Sequence, residues 1–355
     1  MKMQFFPYKR IILFRQGQFG DTVVTFPIFE ALQRLYPQVP LVLCSNHFKK
    51  GKYVQSADVA RLSPHISEVV TYDVESNVVQ KFYELKNKLN VRKDDLLIYL
   101  PYSTVRRYQI VRDWIFFKML NFKNIVCFKE MWSWTYVYEK QAYELPKESE
   151  RMLRFLRLAG IPVELPDKCL LNFKEDWVQA KWDEWGINGA DVLVVCPGSK
   201  MKSKHWPVER YIRAGREWNR RTGMKLVVVG GPEEAGLAEM ITKHWIGYGF
   251  SACGATLQET AAILSRAKAY LGNDTGSMHL AALMGTPCVA IFSAIEQSKL
   301  WYPYGNNHKV LREEIECKNC KREVCFRSPP LCLDKISEEQ VLKALSDVFE
   351  GKYCE

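Results

Sequence analysis

AYLGNDTGSMHLAALMGTPCVAIF, residues 269–292, is the stretch that decides the fold. Ala269 to Leu271 is a short apolar run of the kind a buried strand needs, and small and polar residues follow from Gly272 to Gly276. A segment with helical character runs from about Ser277 to Met284. Gly285-Thr286-Pro287 breaks it, and a second apolar strand occupies residues 288–292. Two strands joined through a helix lie parallel, because only a long crossover returns the chain to the same edge. Working outward, the pattern repeats: a strand at 192–195, a helix at 208–219 stopped near Gly223, a strand at 226–229, the turn Gly230-Gly231-Pro232, and helices at about 234–245 and 257–265.

The first half carries the same alternation. A strand at 10–14 leads into Gln16-Gly17-Gln18-Phe19-Gly20 and then into helical spacing at Val24, Ile28, Leu32 and Leu35. Asp21 sits where an N-cap belongs, Pro27 is expected to kink the helix, and Tyr36-Pro37 ends it before a strand at 41–44. Further strands are predicted at 69–72, 96–100 and 125–128. The fold class is therefore α/β with two doubly wound sheets. Ligands are expected at the carboxyl ends of the strands, in a cleft between domains whose boundary falls within residues 162–188.

Composition agrees. The 355 residues, 47% hydrophobic and 25% charged, exclude a disordered chain, a collagen-like repeat and a disulfide mini-scaffold. The apolar run near the N-terminus, Ile11 to Phe14, is too short for a signal-peptide core, and Gly285-Thr286-Pro287 interrupts the uncharged stretch 275–295, so the expected location is cytoplasmic. Fifty Lys and Arg against forty Asp and Glu leave a charge of +10, which favours anionic partners without choosing among them.

Five constellations carry chemistry. Asp21, at a helix N-terminus, is stabilised as the carboxylate and so able to accept a proton; a plain N-cap is the competing reading. The loop Pro197-Gly198-Ser199-Lys200-Met201-Lys202-Ser203-Lys204-His205-Trp206-Pro207 offers hydroxyls, ammonium groups and free amides to a phosphate, yet lacks the Walker order; it could equally be a solvated basic loop. Asp274-Thr275-Gly276-Ser277-Met278-His279 enters a helix whose free amides can hold a pyrophosphate, although Asp274 could merely cap it and His279 could be a core residue. Cys317, Cys320, Cys325 and Cys332, four of eleven cysteines, suit a structural zinc or iron, with free thiols as the alternative. Finally, Arg106, Arg107, Arg112, Lys118, Lys123 and Lys129 alternate with Tyr108, Trp114, Phe116, Phe117 and Phe122. Such a mixture could serve a glycan, a lipid headgroup or nucleic acid, but the preferred reading puts the aromatic rings in a core and the charges on its wet face.

Taken in order, these segments resemble the family 9 glycosyltransferases, the heptosyltransferases that build the inner core of bacterial lipopolysaccharide. The resemblance lies in Gly20-Asp21 with Thr25 and Pro27, in Lys204-His205-Trp206-Pro207, and in Asp274-Thr275-Gly276-Ser277-Met278-His279-Leu280-Ala281-Ala282. It implies a GT-B architecture: a Rossmann-like acceptor domain over 1–175, a Rossmann-like nucleotide-sugar domain with the cysteine-rich tail over 176–335, and a C-terminal helix over 336–355 crossing back. It implies inverting transfer with no cofactor in the chemistry, Asp21 acting as base. Ser199, Lys200, Lys204, Glu234, Thr256, Asp274, Thr275, Gly276 and His279 would bind the donor, with Glu233 the competitor of Glu234 for the ribose. Arg106, Arg107 and Arg112 are assigned to the acceptor.

The implied partners are an ADP-sugar, most naturally ADP-heptose, an anionic glycolipid or glycan acceptor, and the inner face of the cytoplasmic membrane, approached peripherally; nucleic acid is not among them. The basic run Lys200-Met201-Lys202 and a first domain with little match outside 10–37 depart from the pattern. Three other readings compete: a GT-B transferase using another nucleotide sugar, a non-enzymatic nucleic-acid-binding protein with a cysteine knuckle, and a Rossmann oxidoreductase. The last is weakened because neither half shows Gly-x-Gly-x-x-Gly after its first strand.

Overall fold

A computed structural model describes residues 8–49, 54–140, 145–166, 169 and 171–352; the first seven residues and part of the expected boundary region lie outside these. The chain divides into two compact units, Met1–Asn172 and Phe173–Glu355.

The first unit is a five-stranded parallel sheet of β1 (Arg10–Phe14), β2 (Leu41–His47), β3 (Ile66–Asp73), β4 (Asp95–Tyr99) and β5 (Asn124–Val126), in the order β3-β2-β1-β4-β5. The order reverses beside β1, so the loop leaving β1 opens at a switch point, where such sheets form their ligand crevice. Ile11, Ile12, Leu13 and Phe14 are all buried, as a central strand covered on both faces requires. The expected kinked helix is instead two helices, Phe19–Val23 and Phe26–Leu35. Pro27 stands in the first turn of the second, where its missing N–H costs no hydrogen bond. Asp21 is not the N-cap. Gln18 holds that position, and Asp21 is the third helical residue, its carboxylate reaching back to the Gln18 amide.

The second unit is a six-stranded parallel sheet of β6 (Val192–Cys196), β7 (Lys225–Gly230), β8 (Gly249–Cys253), β9 (Ala269–Asn273), β10 (Cys288–Phe292) and β11 (His308–Arg312), in the order β11-β10-β9-β6-β7-β8. Its switch point lies between β6 and β9. One face is packed by Trp206, Trp218, Leu226, Val341 and Leu345, so the C-terminal helix Glu338–Phe349 contributes to this unit's own core. The helix Val208–Thr222 ends on Gly223 at a φ of 66°, the left-handed cap expected of glycine.

The aromatic-basic stretch departs from its preferred reading. Phe117 and Phe122 are buried, but Tyr108 and Trp114 on the helix Arg107–Met119 are exposed. That helix carries apolar side chains on two faces, and only one is covered.

Candidate active site

In the first unit the loop after β1 is built around Asp21. The Gln18 amide donates to Asp21 Oδ2 at 2.9 Å, and Arg15 Nη2 lies 3.9 Å from Oδ1. Gly17 makes the arrangement possible. Its φ is 147°, and a Cβ there would sit 2.5 Å from Asp21 Cγ, inside any real contact distance. Arg15 is almost wholly buried. Its Nη1 donates to Glu148 Oε1 at 2.8 Å and to the Pro101 carbonyl at 3.1 Å, and its Nε donates to the Asp21 carbonyl at 3.2 Å. Arg151 clamps the same Glu148 with bonds of 2.7 and 2.6 Å. Burial alone would raise the Glu148 carboxyl, yet the guanidinium groups of Arg151 and Arg15 hold it below the ordinary range. The three-residue cluster thus keeps one net positive charge under Asp21, and among the described residues Arg15 Nη2 finds no hydrogen-bond acceptor.

The second unit assembles the basic loop and the glycine loop at the carboxyl edge of β6 and β9. Lys204 Nζ donates to Asp274 Oδ2 at 2.5 Å, fixing an ammonium group at the mouth of the helix Gly276–Leu283. Thr275 is that helix's N-cap residue but makes no side-chain cap, so the leading amides have no intrahelical acceptor. Asn273 binds the two loops together, and its part was not foreseen. Its Oδ1 accepts from Trp206 N at 3.2 Å and Tyr211 Oη at 2.9 Å, while Nδ2 donates to the Pro197 carbonyl at 2.7 Å. The one clue to it in the sequence is an amide closing an otherwise apolar strand.

His279 is buried in the same helix, and desolvation pulls its pKa down to about 4, so the ring is neutral at pH 7. Its Nδ1 has no partner among the described residues. His205 Nε2 lies 3.1 Å from Ser199 N and 2.6 Å from the Ser199 carbonyl, tightening the turn that carries Ser199; Lys200 at its tip is exposed.

Glu234 occupies the crevice between β6 and β7. A Cβ at either Gly198 or Gly230 would overlap its carboxylate, and the Gly231 amide donates to Oε2 at 2.7 Å. Burial pushes the Glu234 carboxyl up from its ordinary value. Glu233 points outward and is exposed. Thr256, at the carboxyl end of β8, caps the helix Leu257–Ser265 and donates to Glu259 Oε2 at 2.9 Å.

The three acceptor-assigned arginines share one helix start. Arg106 is exposed, Arg107 Nε donates to Thr135 Oγ1 at 3.0 Å, and Arg112 is paired with Asp113 at 2.7 Å.

The four tail cysteines line one cavity of about 680 Å³ with Ser203, Ala294 and Ile295. Cys317 is exposed, Cys320 and Cys325 half-buried and Cys332 buried, and among the described residues no three His, Cys, Asp or Glu side chains are gathered as ligands. The same segment is stitched to the basic loop and to the end of β10. Ser203 N donates to the Glu323 carbonyl at 3.0 Å and Ser203 Oγ to the Arg322 carbonyl at 2.6 Å, while Asn319 N and Lys321 N reach the carbonyls of Ala294 and Ile295.

Among the described residues no helix is long and apolar enough to cross a membrane. No curated protein matches the chain by sequence. Solved structures do share its fold. A family 9 glycosyl transferase from Veillonella parvula DSM 2008 is 20% identical over 97% of this chain and 98% of its own, with a TM-score of 0.72. Escherichia coli ADP-heptose lps heptosyltransferase II is 16% identical over 96% and 98%, with a TM-score of 0.67. E. coli heptosyltransferase WaaC, solved with ADP-2-deoxy-2-fluoro heptose, is 15% identical over 95% and 99%, at 0.62. The family profile described as "Glycosyltransferase family 9 (heptosyltransferase)" matches residues 115–329, more than half the chain and a span that includes both loops around Lys204 and Asp274. The chain therefore belongs to glycosyltransferase family 9, and it is a glycosyltransferase.

Proposed function

We propose that this enzyme moves heptose from ADP-heptose onto a hydroxyl of a lipopolysaccharide core or a related anionic glycan, with inversion at the anomeric carbon and no metal in the chemistry. The observation that carries the reading is the Lys204–Asp274 pair set against the uncapped start of the helix Gly276–Leu283. A sugar leaves as its nucleotide diphosphate only if the charge growing on the bridging oxygen is neutralised. Lys204 and the amides from Gly276 onward supply that positive field, with the Ser199 and Thr275 hydroxyls as further donors, so no divalent cation is needed for it. Glu234, wedged between two glycines, is suited to accept hydrogen bonds from ribose hydroxyls, and Thr256 stands at the edge assigned to the adenine. The neutral His279 packs under the diphosphate loop without adding charge. Lys200 adds a more distant cation.

The acceptor hydroxyl is a weak nucleophile and needs a base. Asp21 is assigned that role, oriented by the Gln18 amide on one oxygen and by Arg15 near the other. Attack on the face opposite the departing diphosphate forms the new glycosidic bond as the old one breaks, and Asp21 takes the hydroxyl proton. Arg106, Arg107 and Arg112 are assigned to acidic groups of the acceptor. The first unit would thus bind the acceptor and the second the donor, with the enzyme working peripherally at the inner membrane face.

A structural zinc or iron among Cys317, Cys320, Cys325 and Cys332 is the finer reading of the tail. The donor chemistry suits a thiophilic ion, the four thiols line one cavity, and no step of transfer runs through it.

Incubation with ADP-heptose, UDP-sugars and truncated lipopolysaccharide acceptors, read by mass spectrometry, tests the assignment. A heptose-sized mass gain with the ADP-sugar alone is expected. In the same assay Asp21→Asn abolishes transfer while calorimetric ADP affinity stays within a few fold, and Lys204→Ala weakens ADP binding. Turnover by Asp21→Asn at the wild-type rate removes Asp21 from the mechanism.

A further inference from the structure

The uncovered face of the helix Arg107–Met119 has the composition of a lipid-docking surface. Tyr108, Val111, Ile115 and Met119 follow one another at spacings of three, four and four, which puts them on one side of a helix. All are exposed, Tyr108 and Met119 at 63%. Trp114 lies beside them at 47%. The opposite side is the ordinary core face, with Ile110 and Phe117 buried. Exposed apolar residues scattered singly need no explanation, but an aligned stripe on one helix does.

The neighbouring helix Phe128–Lys140 extends the surface. It packs against the first helix, and its Trp132 and Tyr136, four residues apart, are both exposed. Arg107 joins the two: its guanidinium sits 5.4 Å from the Trp132 ring centre and 5.9 Å from that of Tyr136. Lys118 lies 5.9 Å from the Trp114 ring centre. Cations therefore stand among the rings rather than on a separate face.

Charge selects the occupant. Residues 106–140 hold seven Arg and Lys side chains and three acids, Asp113, Glu130 and Glu139, of which Asp113 is buried and bonded to Arg112 and Tyr99. A second copy of this chain seated here would set one net-positive face against another. Nucleic acid would satisfy the charge and stack on the rings, but it has no use for the aliphatic stripe of Val111, Ile115 and Met119. An anionic bilayer satisfies all three features: headgroup phosphates for the cations, the interfacial layer for Trp and Tyr, and acyl chains for the aliphatic side chains.

We infer that the paired helices Arg107–Met119 and Phe128–Lys140 form a docking face for an anionic lipid surface, with Trp114, Ile115 and Met119 entering the interfacial layer. This deepens the proposed function, which places the acceptor in a membrane, by naming the part of the chain that meets it.

The test is co-sedimentation of the full chain with vesicles of equimolar phosphatidylglycerol and phosphatidylcholine, and with vesicles of phosphatidylcholine alone. Binding to the anionic vesicles only, weakened by salt, is expected. The double substitution Trp114→Ser/Ile115→Ser lowers that binding by roughly tenfold or more while transfer to a soluble acceptor fragment is unchanged. Indifference of the wild-type chain to anionic vesicles overturns the inference. So does undiminished binding by the double variant, a drop in its oligomeric state by light scattering, or tighter binding of a single-stranded oligonucleotide than of the vesicles. Asp21→Asn must sediment like the wild type. If transfer is absent from every preparation while vesicle binding behaves as stated, the enzymatic assignment fails and the docking face stands.

Discussion

Replacing Gly17 by alanine probes the geometry that holds Asp21. A Cβ at residue 17 would stand 2.2 Å from Asp21 Cβ and 2.5 Å from Cγ, and ordinary contact begins at 3.4 Å, so the carbon that bears the carboxyl must withdraw by about 1.2 Å. That is enough to lengthen or break the 2.9 Å bond from the Gln18 amide. A misplacement of about 1 Å at a reacting group costs roughly a hundredfold in rate, and this is the loss of kcat expected of Gly17→Ala. The backbone adds its own penalty, because a φ of 147° is poorly tolerated by alanine and costs more than about 1 kcal/mol of stability. Gly160→Ala separates the two effects. Its φ is 84°, but a Cβ there meets nothing within 4 Å, so it should lose stability with kcat intact. The assay is kcat with saturating ADP-heptose and acceptor, alongside thermal melting, which should fall in both variants, and ADP calorimetry, which should not change in either. A Gly17→Ala enzyme with wild-type kcat would refute the reasoning, as would an equal loss in Gly160→Ala.

Arg15→Met leaves the buried Glu148 with Arg151 as its single cation and removes the guanidinium beside Asp21, so melting should report a loss of about 3 kcal/mol and kcat should fall with donor affinity unchanged. Asn273→Ala strips hydrogen bonds from Trp206 N, Tyr211 and Pro197 at once, and a loss of about 2–3 kcal/mol with weaker ADP binding is expected from denaturation and calorimetry. His279 titrates near 4 in the folded chain against 6.5 when unfolded. Between those values the unfolded state binds the extra proton, so the stability His279 permits at neutral pH is lost as pH falls from about 6.5 toward 4, by up to about 3 kcal/mol. His279→Gln should flatten that part of a stability-against-pH curve; an unchanged slope contradicts the assignment. A metal in the cysteine cavity would appear as about one zinc or iron per chain by elemental analysis, reduced in Cys320→Ser.

The parallel strands at the centres of both sheets were legible because each is an unbroken apolar run: Arg10–Phe14 and Cys288–Phe292 stand where the residues put them. The edge strands of the second sheet were not. Gly249–Cys253 and His308–Arg312 are half-solvated and carry glycine, serine or charge, so no apolar run marks them. Asp21 and Lys204 could be singled out because carboxylate and ammonium groups at strand ends are chemically conspicuous. Asn273 was missed because its work is to hold two loops in register, which only the packed structure displays. The outward rings of Trp114 and Tyr108 were misjudged for the opposite reason: periodicity shows that a helix has an apolar face but not that it has two, one left uncovered.

The bonds between Ser203 and the carbonyls of Arg322 and Glu323 have a consequence for the tail. Ser203, the residue before Lys204, is held by carbonyls more than a hundred positions downstream, so the tail is part of the scaffold of that loop and not an ornament on it. An insertion, an oxidised thiol or a captured ion that shifts Arg322 or Glu323 acts one residue away from the ammonium group proposed to meet the donor. On the proposed assignment of Lys204, a change in the tail is thereby a change in the affinity of the enzyme for its nucleotide.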